Sequence, residues 1–498
     1  MRRRLVILAP LALGVLPYLP VLARGYFQAD DFAFVRLFHA LSPGEFGRLF
    51  YSDPTPAIWG ESLRELRPFV SLAYRLDFAV WGLNAFGFHL TNVLLHVLNC
   101  WLVLLLARRM LPPVAGASWL ATALFAVAPC HAEAVSWING RTDLVAAGFY
   151  LGSCLLFVLF SMGGNAGHYG ASLACFAAGL FAKESLFTLP LLLTVYCMLY
   201  RPRPRLVMLA PFWILVGGSM LLRRLLFGGV LGPHTTTLPE FLSRQRFYLE
   251  SLLFPAQEWL LVSRVALVLL MAAGTAFAWR YRRSLFFVGP LWYLVTAVPL
   301  IVTYRSTRHL YIASAGISMG LGLMVAALPR ARAAVACFWL AVYGVAVADL
   351  ARQWGDAGAM SRKLLEGIET LSVQIPPGST VLLPGAGYWP AYVWEWAVPH
   401  TLEPPFSGLY SRFRFVEHPE LSCCPGWEKA RQPALAAAMS AGAFLIRWDA
   451  ARGEPVVEGV SAERLRGLWE TTAGGGFGSS PLTVEQGRRF LGRLRDPP

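Results

Sequence analysis

Apolar runs recur along the first 350 residues of the chain, and short basic clusters separate them. A helix needs about 20 apolar residues to cross a bilayer, and the runs are too long and too closely spaced for soluble domains. We therefore predict an all-α polytopic membrane protein with eleven spans. The predicted spans are residues 5–23, 87–107, 114–130, 144–162, 169–182, 186–200, 206–222, 259–279, 284–302, 309–328 and 333–350.

The basic clusters orient the predicted spans, because an excess of lysine and arginine marks cytoplasmic loops. These clusters are Arg2 to Arg4, Arg108 with Arg109, residues 201–205, residues 280–283, and Arg330 with Arg332. We therefore expect a cytoplasmic N-terminus, with the early carboxylates on the outer face. The Arg- and Ala-rich composition suggests a bacterial inner membrane. The first run also fits a cleaved signal peptide, although it is long for one. Residues 168–200 fit two short helices better than one long helix.

Composition supports the membrane assignment. Of 498 residues, 56% are hydrophobic and 14% are charged, against about 25% charged residues in an ordinary soluble domain. The net charge of +14 resides in the loop clusters rather than on a polar face, so we expect no nucleic-acid partner.

The chain divides into two predicted domains. Residues 1–350 form the membrane domain, whose long outer loops, 24–86 and 223–258, each carry an amphipathic helix lying in the interface. Residues 351–498 are richer in charge and form a small α/β domain of unknown role outside the membrane. Its predicted strands are "STVLLPG" and "GAFLIRW", and its predicted helices are "SAERLRGLWETT" and "TVEQGRRFLGRLRD".

Ionisable residues gather at the outer ends of the spans. Such residues at membrane depth are functional candidates by default, although snorkelling charges and helix caps explain many of them singly. If the spans bundle, the loops that carry these residues line one cavity. The candidates are Asp30, Asp31, Arg67, His131, Glu133, Arg141, Asp143, Lys183, Glu184, Arg305, Arg308 and His309.

Carboxylates beside arginines and a lysine suit a reaction that removes a proton and releases an anion. A carboxylate acts as a general base toward a hydroxyl, and a second carboxylate nearby raises its pKa toward that task. Arginine binds a phosphate bidentately and stabilises the charge that grows as the phosphate departs. Because nucleotide sugars are cytosolic, a donor carried on a lipid is the simplest supply for an outward-facing site.

Four stretches carry a family resemblance: "LRPFVSLAYRLDFAVWGLNAFGFHLTNVLLHVLNCWLVLLLARR", "LFAVAPCHAEAVSWINGRTDLVAAGFYL", "AAGLFAKESLFTLPLLLTVYCML" and "RHLYIASAG". They resemble the membrane part of the TMTC-type O-mannosyltransferases and their bacterial relatives, which are multispan glycosyltransferases of the GT-C superfamily. The resemblance covers roughly residues 25–330. It implies eleven or more helices, outer catalytic loops, and sugar transfer from a polyprenyl-phosphate donor, usually with inversion.

The resemblance also implies roles for individual residues. Asp30 and Asp31 match the catalytic acids, and Arg308 and His309 match phosphate contacts. The implied pocket residues are His131, Glu133, Arg141, Asp143, Lys183 and Glu184. Eukaryotic members carry tetratricopeptide repeats where this chain has residues 351–498, so the acceptor, a protein or a glycan, stays open.

The resulting hypothesis is that Asp30 or Asp31 takes a proton from the acceptor hydroxyl. Arg308, with Arg67, Arg141 or Lys183, holds the leaving phosphate. Asp31 and Glu133 either orient the acceptor or hold a divalent metal ion, so a metal cofactor stays open. The expected partners are the bilayer, a polyprenyl-phosphate sugar such as a mannose-like hexose, and the acceptor.

Two other function classes compete with an enzyme. A transporter or flippase of a lipid-linked or small anionic substrate predicts polar residues through the middle of the bundle, whereas the charges gather at one face. A scaffold that has lost activity is the other class, and the intact Asp30 and Asp31 speak against it. His89, Asn92 and His96 share one face of the second span, where polar contacts between helices are favoured over a ligand site.

Overall fold

The computed structural model describes most of the chain. The described residues are 9–200, 206–230, 237–254, 261–384, 393–394, 397–421, 426–449, 452–474, 476–478 and 481–494. Two predicted basic clusters, Arg2 to Arg4 and residues 201–205, lie outside them, as do the ends of predicted spans 5–23 and 259–279.

The first part of the described chain is helical. Its α-helices are α1 (Leu19–Arg24), α2 (Asp30–Phe38), α3 (Pro43–Arg48), α4 (Pro56–Trp59), α5 (Pro68–Trp81), α6 (Ala85–Met110), α7 (Ala117–Ala126), α8 (Ala132–Ser136), α9 (Arg141–Ser161), α10 (Ala166–Gly179), α11 (Leu189–Tyr200), α12 (Ala210–Phe227), α13 (Leu238–Leu253), α14 (Leu261–Ala278), α15 (Arg282–Phe286), α16 (Trp292–Thr296), α17 (Tyr311–Ala327) and α18 (Arg332–Leu371). The two helices predicted to lie in the interface are present as α5 and α13.

Six helical segments of the described chain are long and apolar enough to cross a membrane. They are Ala85–Met110, Ile138–Ser161, Leu206–Phe227, Arg264–Leu300, Thr307–Ala327 and Arg332–Gln374. Three shorter apolar segments, Ala9–Arg24, Ala117–Ala126 and Glu184–Tyr200, coincide with further predicted spans. The protein is therefore an integral membrane protein, while the count of eleven spans stays a prediction.

Two predicted spans, 259–279 and 284–302, form a single helical segment, Arg264–Leu300. A 3-10 turn at Trp279–Tyr281 and a π-helical turn at Phe287–Leu291 interrupt its regular geometry. The π turn contains Pro290, which has no N–H to donate, so the backbone widens there.

The region 168–200 forms two helices, which confirms that prediction. Helix α10 ends at Gly179 and α11 begins at Leu189. Lys183 and Glu184 lie in the turn between the two helices, and Glu184 begins a 3-10 helix that leads into α11.

Close helix crossings build the centre of the bundle. Helix α7 packs against α17, and α9 packs against α6 and α10. At Gly322 of α17, an added Cβ would lie 2.4 Å from the backbone nitrogen of Ala121 in α7. Only glycine permits this close approach. Small residues are common where membrane helices pack together, because no hydrophobic driving force brings the helices together in lipid.

Polar side chains of α6 join neighbouring elements inside the bundle. The His96 ring accepts a hydrogen bond from the Tyr311 hydroxyl (2.6 Å) at Nδ1 and donates from Nε2 to the Ala126 carbonyl (3.1 Å). The Asn92 amide donates to the Trp137 carbonyl at 2.8 Å. These contacts confirm that His96 and Asn92 link helices and loops.

The C-terminal region forms a four-stranded sheet with helices. Its elements are β1 (Thr380–Leu383), α19 (Val398–Thr401), β2 (Arg414–Glu417), α20 (Trp427–Ala441), β3 (Ala443–Asp449), β4 (Glu454–Val460), α21 (Ala462–Trp469) and α22 (Val484–Arg493). The strand order is β2-β1-β3-β4, with β1 parallel to β2 and β3, and β4 antiparallel to β3. The predicted strands and helices are confirmed, including the helix caps at Ser461 and Thr483.

The sheet packs between its own helices and the long helix α18. On one face, Leu382 and Leu445 join the core of α20, α21 and α22. On the other face, Val381 and Ile446 belong to the same core as Leu364 of α18. The predicted domain boundary at residues 350 and 351 falls inside α18, which runs unbroken from Arg332 to Leu371.

We predict that replacing Gly322 with alanine lowers the thermal unfolding midpoint of the detergent-solubilised protein. The new methyl group meets the α7 backbone, and overpacking of this kind costs about 1–3 kcal/mol. The matched control is Gly320→Ala in the same helix, where the nearest atom would lie at 3.6 Å, an ordinary contact. Equal midpoints for the two variants would contradict the close crossing.

Candidate active site

Asp31 is fully buried at the start of α2 and ties two loops together. Its carboxylate accepts hydrogen bonds from the Gln28 backbone N–H (2.9 Å) and from the Asn139 backbone N–H (2.8 Å). Burial raises the pKa of this carboxyl well above its usual range, as does nearby Asp30, whereas the two backbone bonds and Arg141 oppose the shift. Both Asp31 oxygens are therefore engaged by backbone N–H groups.

Asp30 lies beside Asp31 but keeps 9% of its surface accessible. The side-chain amide of Asn139 donates to Asp30 at 2.9 Å, so Asn139 contacts both aspartates. Burial raises the pKa of the nearby Tyr304 phenol; Arg308 opposes this rise, while the charges of Glu133 and Asp30 add to it. Asp30 is thus within electrostatic reach of the loop that carries Tyr304.

Arg308 lies in a group of charged side chains, called the charged cluster here, that also contains Arg67, Glu133, Asp143, Lys183 and Glu184. Its guanidinium lies 4.9 Å from the centre of the Trp137 ring and donates to the Tyr304 hydroxyl. Its nearest carboxylates, Glu133 and Asp143, are each 3.7 Å away, which is beyond hydrogen-bond distance. Arg308 is therefore loosely paired although it is buried.

The turn between α10 and α11 supplies Lys183 and Glu184 to the same cluster. Lys183 pairs with Asp143, which also faces Arg308. Burial lowers the pKa of Lys183, and Asp143 acts in the opposite direction. Glu184 pairs with Arg67 at 3.0 Å and with Arg223 at 2.8 Å.

Arg67 is held tightly on two sides. It contacts Glu65 at 2.7 Å and Glu184 at 3.0 Å. Burial raises the pKa of Glu65; Arg67 lowers it, and Glu184 raises it further. Arg67 precedes Pro68, which occupies the first turn of α5, so the start of this helix places the arginine in the cluster.

Glu133 fastens the loop that presents Arg308. Its oxygens accept hydrogen bonds from the Ser306 hydroxyl at 2.7 Å and from the Thr307 backbone N–H at 3.1 Å. The first N–H groups of a helix lack partners within it, so a carboxylate from another element stabilises this end. The 3-10 turn Thr307–Leu310 leads from this anchor directly into α17.

Arg141 belongs to an ion pair in the interior of the protein. It is fully buried, contacts Asp77 at 2.8 Å and donates to the Phe88 carbonyl at 3.2 Å. The Tyr74 ring lies over its guanidinium at 4.3 Å. These protein partners surround Arg141, so its predicted contact with a substrate phosphate has no support from its geometry.

His131, Arg305 and His309 also have specific positions. His131 bonds the Ser314 hydroxyl at 2.6 Å within the apolar interior, where its ring packs against that of Tyr311. Arg305 is exposed and lies over the Phe247 ring of α13 at 3.9 Å. His309 bonds Thr303 and packs beside Tyr304, at the edge of the charged cluster.

A divalent metal ion at Asp31 and Glu133 stays a prediction, because a carboxylate that accepts hydrogen bonds can also ligate a metal. Asp31 and Glu133 already accept hydrogen bonds at both oxygens of each side chain. Among the residues that the structure describes, no group of three or more His, Cys, Asp and Glu side chains is arranged to hold a metal ion.

Several residues in or beside the charged cluster are not among the candidates predicted from the sequence. Asn139 and Tyr304 are uncharged at neutral pH, so a search for ionisable residues passes over them. Glu65 lies in a polar loop without a distinguishing pattern. Arg223, which is fully buried, follows a predicted span in the same way as the chosen candidates, and the same rule applied there would have found it.

We predict that Arg141→Met destabilises the protein, because removing one partner of a buried ion pair costs about 3–5 kcal/mol. The double variant Arg141→Met with Asp77→Leu should be more stable than the single variant, since no buried charge is left alone. Thermal unfolding in detergent measures both. Unchanged stability with lost activity would instead assign Arg141 to the substrate.

Comparison with known proteins finds similar sequences among protein O-mannosyl-transferases. The chain is 33% identical to protein O-mannosyl-transferase Tmtc1 of Drosophila melanogaster over 183 residues, which are 36% of this chain and 21% of that protein. It is 33% identical to protein O-mannosyl-transferase TMTC2 of Homo sapiens over 155 residues, which are 30% of this chain and 18% of that protein. The matched stretch spans about a fifth of these relatives, and no family model matches the chain.

Comparison of folds finds solved structures with low sequence identity to this chain. ArnT from Cupriavidus metallidurans bound to undecaprenyl phosphate aligns over 89% of this chain and 92% of its own, with 12% identity and a TM-score of 0.45. Archaeal oligosaccharyltransferase AglB from Archaeoglobus fulgidus, in complex with an inhibitory peptide and a dolichol-phosphate, covers 88% and 69%, with 11% identity and a TM-score of 0.48. The resemblance to TMTC-type O-mannosyltransferases that the sequence motifs indicate is confirmed over about a third of the chain.

Proposed function

We propose that this protein is a membrane glycosyltransferase that moves a sugar from a polyprenyl-phosphate donor to an acceptor hydroxyl on the outer face of the membrane. One observation carries the proposal: the carboxylate of Asp30, still partly accessible, is within electrostatic reach of Tyr304, whose hydroxyl accepts a hydrogen bond from the buried Arg308. The partial similarity to protein O-mannosyl-transferases supports the same reaction class.

Asp30, rather than Asp31, is the proposed general base. Asp31 is fully buried and holds two backbone N–H groups, so an acceptor hydroxyl has no access to it. Asp30 retains accessible surface, and Asn139 orients it. In the transfer step the acceptor oxygen bonds to the anomeric carbon, the bond from that carbon to the phosphate oxygen breaks, and the acceptor proton passes to Asp30.

Arg308 is the proposed partner of the leaving phosphate. Its carboxylates stand at 3.7 Å, so a phosphate can replace them without breaking close ion pairs. Arg67 is less suited, because Glu65 and Glu184 hold it at 2.7 and 3.0 Å. A guanidinium in a buried site stabilises growing phosphate charge far more than it would in water.

Lys183 and His309 complete the proposed donor site. Lys183 is paired with Asp143, which it shares with Arg308, so binding of an anion at Arg308 also affects Lys183. The sugar is proposed to be a mannose-like hexose, and the acceptor a protein or glycan. The proposed setting is a bacterial inner membrane with the N-terminus in the cytoplasm and the C-terminal α/β region outside.

We predict different effects for asparagine at the two aspartates. Asp30→Asn removes the base and should lower kcat about 10²- to 10⁴-fold while stability is kept. Asp31→Asn replaces an acceptor of two backbone N–H groups by a partial donor, so it should lower the thermal unfolding midpoint. Transfer is measured in proteoliposomes with a panel of short-chain polyprenyl-phosphate sugars, together with unfolding in detergent.

The matched control is Asp349→Asn, an exposed aspartate of α18 that pairs with Arg352. It should leave transfer and stability unchanged. Wild-type rates in both Asp30→Asn and Asp31→Asn would show that neither aspartate is the base.

We predict that Arg308→Gln lowers kcat/KM for the donor about 10²- to 10³-fold, because a charge that stabilises the leaving phosphate is lost. Arg305→Gln, three residues earlier and exposed over Phe247, should change it much less. Initial transfer rates at varied donor concentration measure the difference. An equal loss in both variants would return Arg305 to the donor site, as the sequence predicts.

A further inference from the structure

The backbone just before Asp30 has an unusual conformation that the C-terminal region holds. Ala29 has a φ of 45° and a ψ of −120°, which side-chain-bearing residues rarely adopt. Its N–H donates to the carbonyl of Val393 at 3.0 Å. A strained conformation persists only where surrounding contacts enforce it, so Val393 is one of the contacts that fix the turn leading into Asp30.

Aromatic side chains from the C-terminal region pack against both ends of this turn. The Phe406 ring packs edge-to-face against Phe27 at 5.1 Å and against Phe32 at 4.8 Å. Trp394 packs against Phe32 at 6.5 Å between ring centres. Phe27 precedes Asp30 and Phe32 follows it, so these contacts restrict the turn at each end.

A hydrogen-bonded chain links the same turn to helix α18. The Trp394 indole N–H donates to the Ser361 hydroxyl at 3.0 Å, and that hydroxyl donates to the Phe27 carbonyl at 2.7 Å. An added Cβ at Gly358 would lie 2.5 Å from the backbone nitrogen of Tyr26. Helix α18 therefore lies directly against the loop that precedes Asp30, and it leaves no room for this loop to move toward the helix.

The far end of α2 is held by a second set of contacts. Arg36 donates to Nδ1 of His400 at 3.0 Å and forms an ion pair with Glu403. The other ring nitrogen of His400 donates to the Ile58 carbonyl at 3.2 Å. Burial lowers the pKa of His400 to about 4, and the charge of Arg36 lowers it as well, so the ring is neutral and accepts the arginine hydrogen bond at neutral pH.

We propose that Val393, Trp394, His400, Glu403 and Phe406, called the brace here, position the carboxylate of Asp30 for catalysis. The inference rests on the proposed function of Asp30. If the brace is loosened, Ala29 can relax to an ordinary φ and rotate Asp30 away from Asn139. Misplacement of a reacting group by about 1 Å can cost about 100-fold in rate. The C-terminal region is thus a working part of the site in the membrane half.

The test compares two tryptophan variants of the full chain. Trp394→Phe keeps a ring against Phe32 and loses the N–H bond to Ser361. The matched control is Trp469→Phe, whose ring packs against Phe477 and Phe490 in the separate core of the C-terminal helices. Measured quantities are kcat, donor KM, and hydrogen–deuterium exchange of the peptide that covers residues 26–33.

The expected result is a fall in kcat of about tenfold for Trp394→Phe with donor KM within about twofold of wild type. Exchange at residues 26–33 should be faster, because the turn opens more often. Trp469→Phe should match the wild type in all three measurements. A purely structural role would lower the amount of folded protein without this split between kcat and KM.

Wild-type kcat and exchange in Trp394→Phe would overturn the proposal, and so would an equal loss in Trp469→Phe. If the wild-type chain transfers no sugar from any donor tested, the proposed function fails, and exchange alone then decides whether the brace holds the turn. Ser361→Ala provides a second variant, which removes the bridging hydroxyl and little volume. It should reproduce the faster exchange, and unchanged exchange in both variants would overturn the brace.

Discussion

The buried carboxylate of Asp31 is the contact on which the candidate site depends. It joins the backbone at Gln28 to the backbone at Asn139, two segments more than 100 residues apart in the chain. Because an unpaired buried acceptor or donor is costly, each loop needs the other to remain in place. The same Asn139 then reaches Asp30 with its side chain. One aspartate therefore organises the loops, and its neighbour, Asp30, keeps part of its surface accessible.

The buried arginines in and near the charged cluster differ in their distance from the nearest carboxylates. Arg67 and Arg223 form close ion pairs with Glu184, and Arg141 forms a close ion pair with Asp77 in the interior. Arg308 alone among these four arginines stands 3.7 Å from its carboxylates. Buried charges without partners are unfavourable, so even this longer pairing helps to hold the buried cation of Arg308 in place. Arg308 therefore differs from the other three arginines, whose partners Glu184 and Asp77 lie at 2.8 to 3.0 Å.

Local patterns in the sequence predict much of this architecture. Apolar runs locate the spanning helices, the Lys183 turn separates α10 from α11, and the capping residues Ser461 and Thr483 mark helix starts. Long-range contacts have no such signal. Arg141 and Arg308 look alike in the sequence, yet one pairs with Asp77 in the interior and the other lies in the cluster. Nothing near Asn139 in the chain indicates that it contacts residues 30 and 31.

Helix α18 continues from the apolar bundle into the C-terminal sheet without a break, over 40 residues. An unbroken helix transmits rotation as well as translation, because each residue is rotated about the helix axis by about 100° relative to the one before it. The sheet therefore has a fixed rotation about the helix axis relative to the bundle, unlike a domain joined by a flexible linker. Replacement of this region by that of a related chain must preserve helical phase, and a graft shifted by one residue would present a different side of the sheet to the segment that carries Asp30 and Asp31.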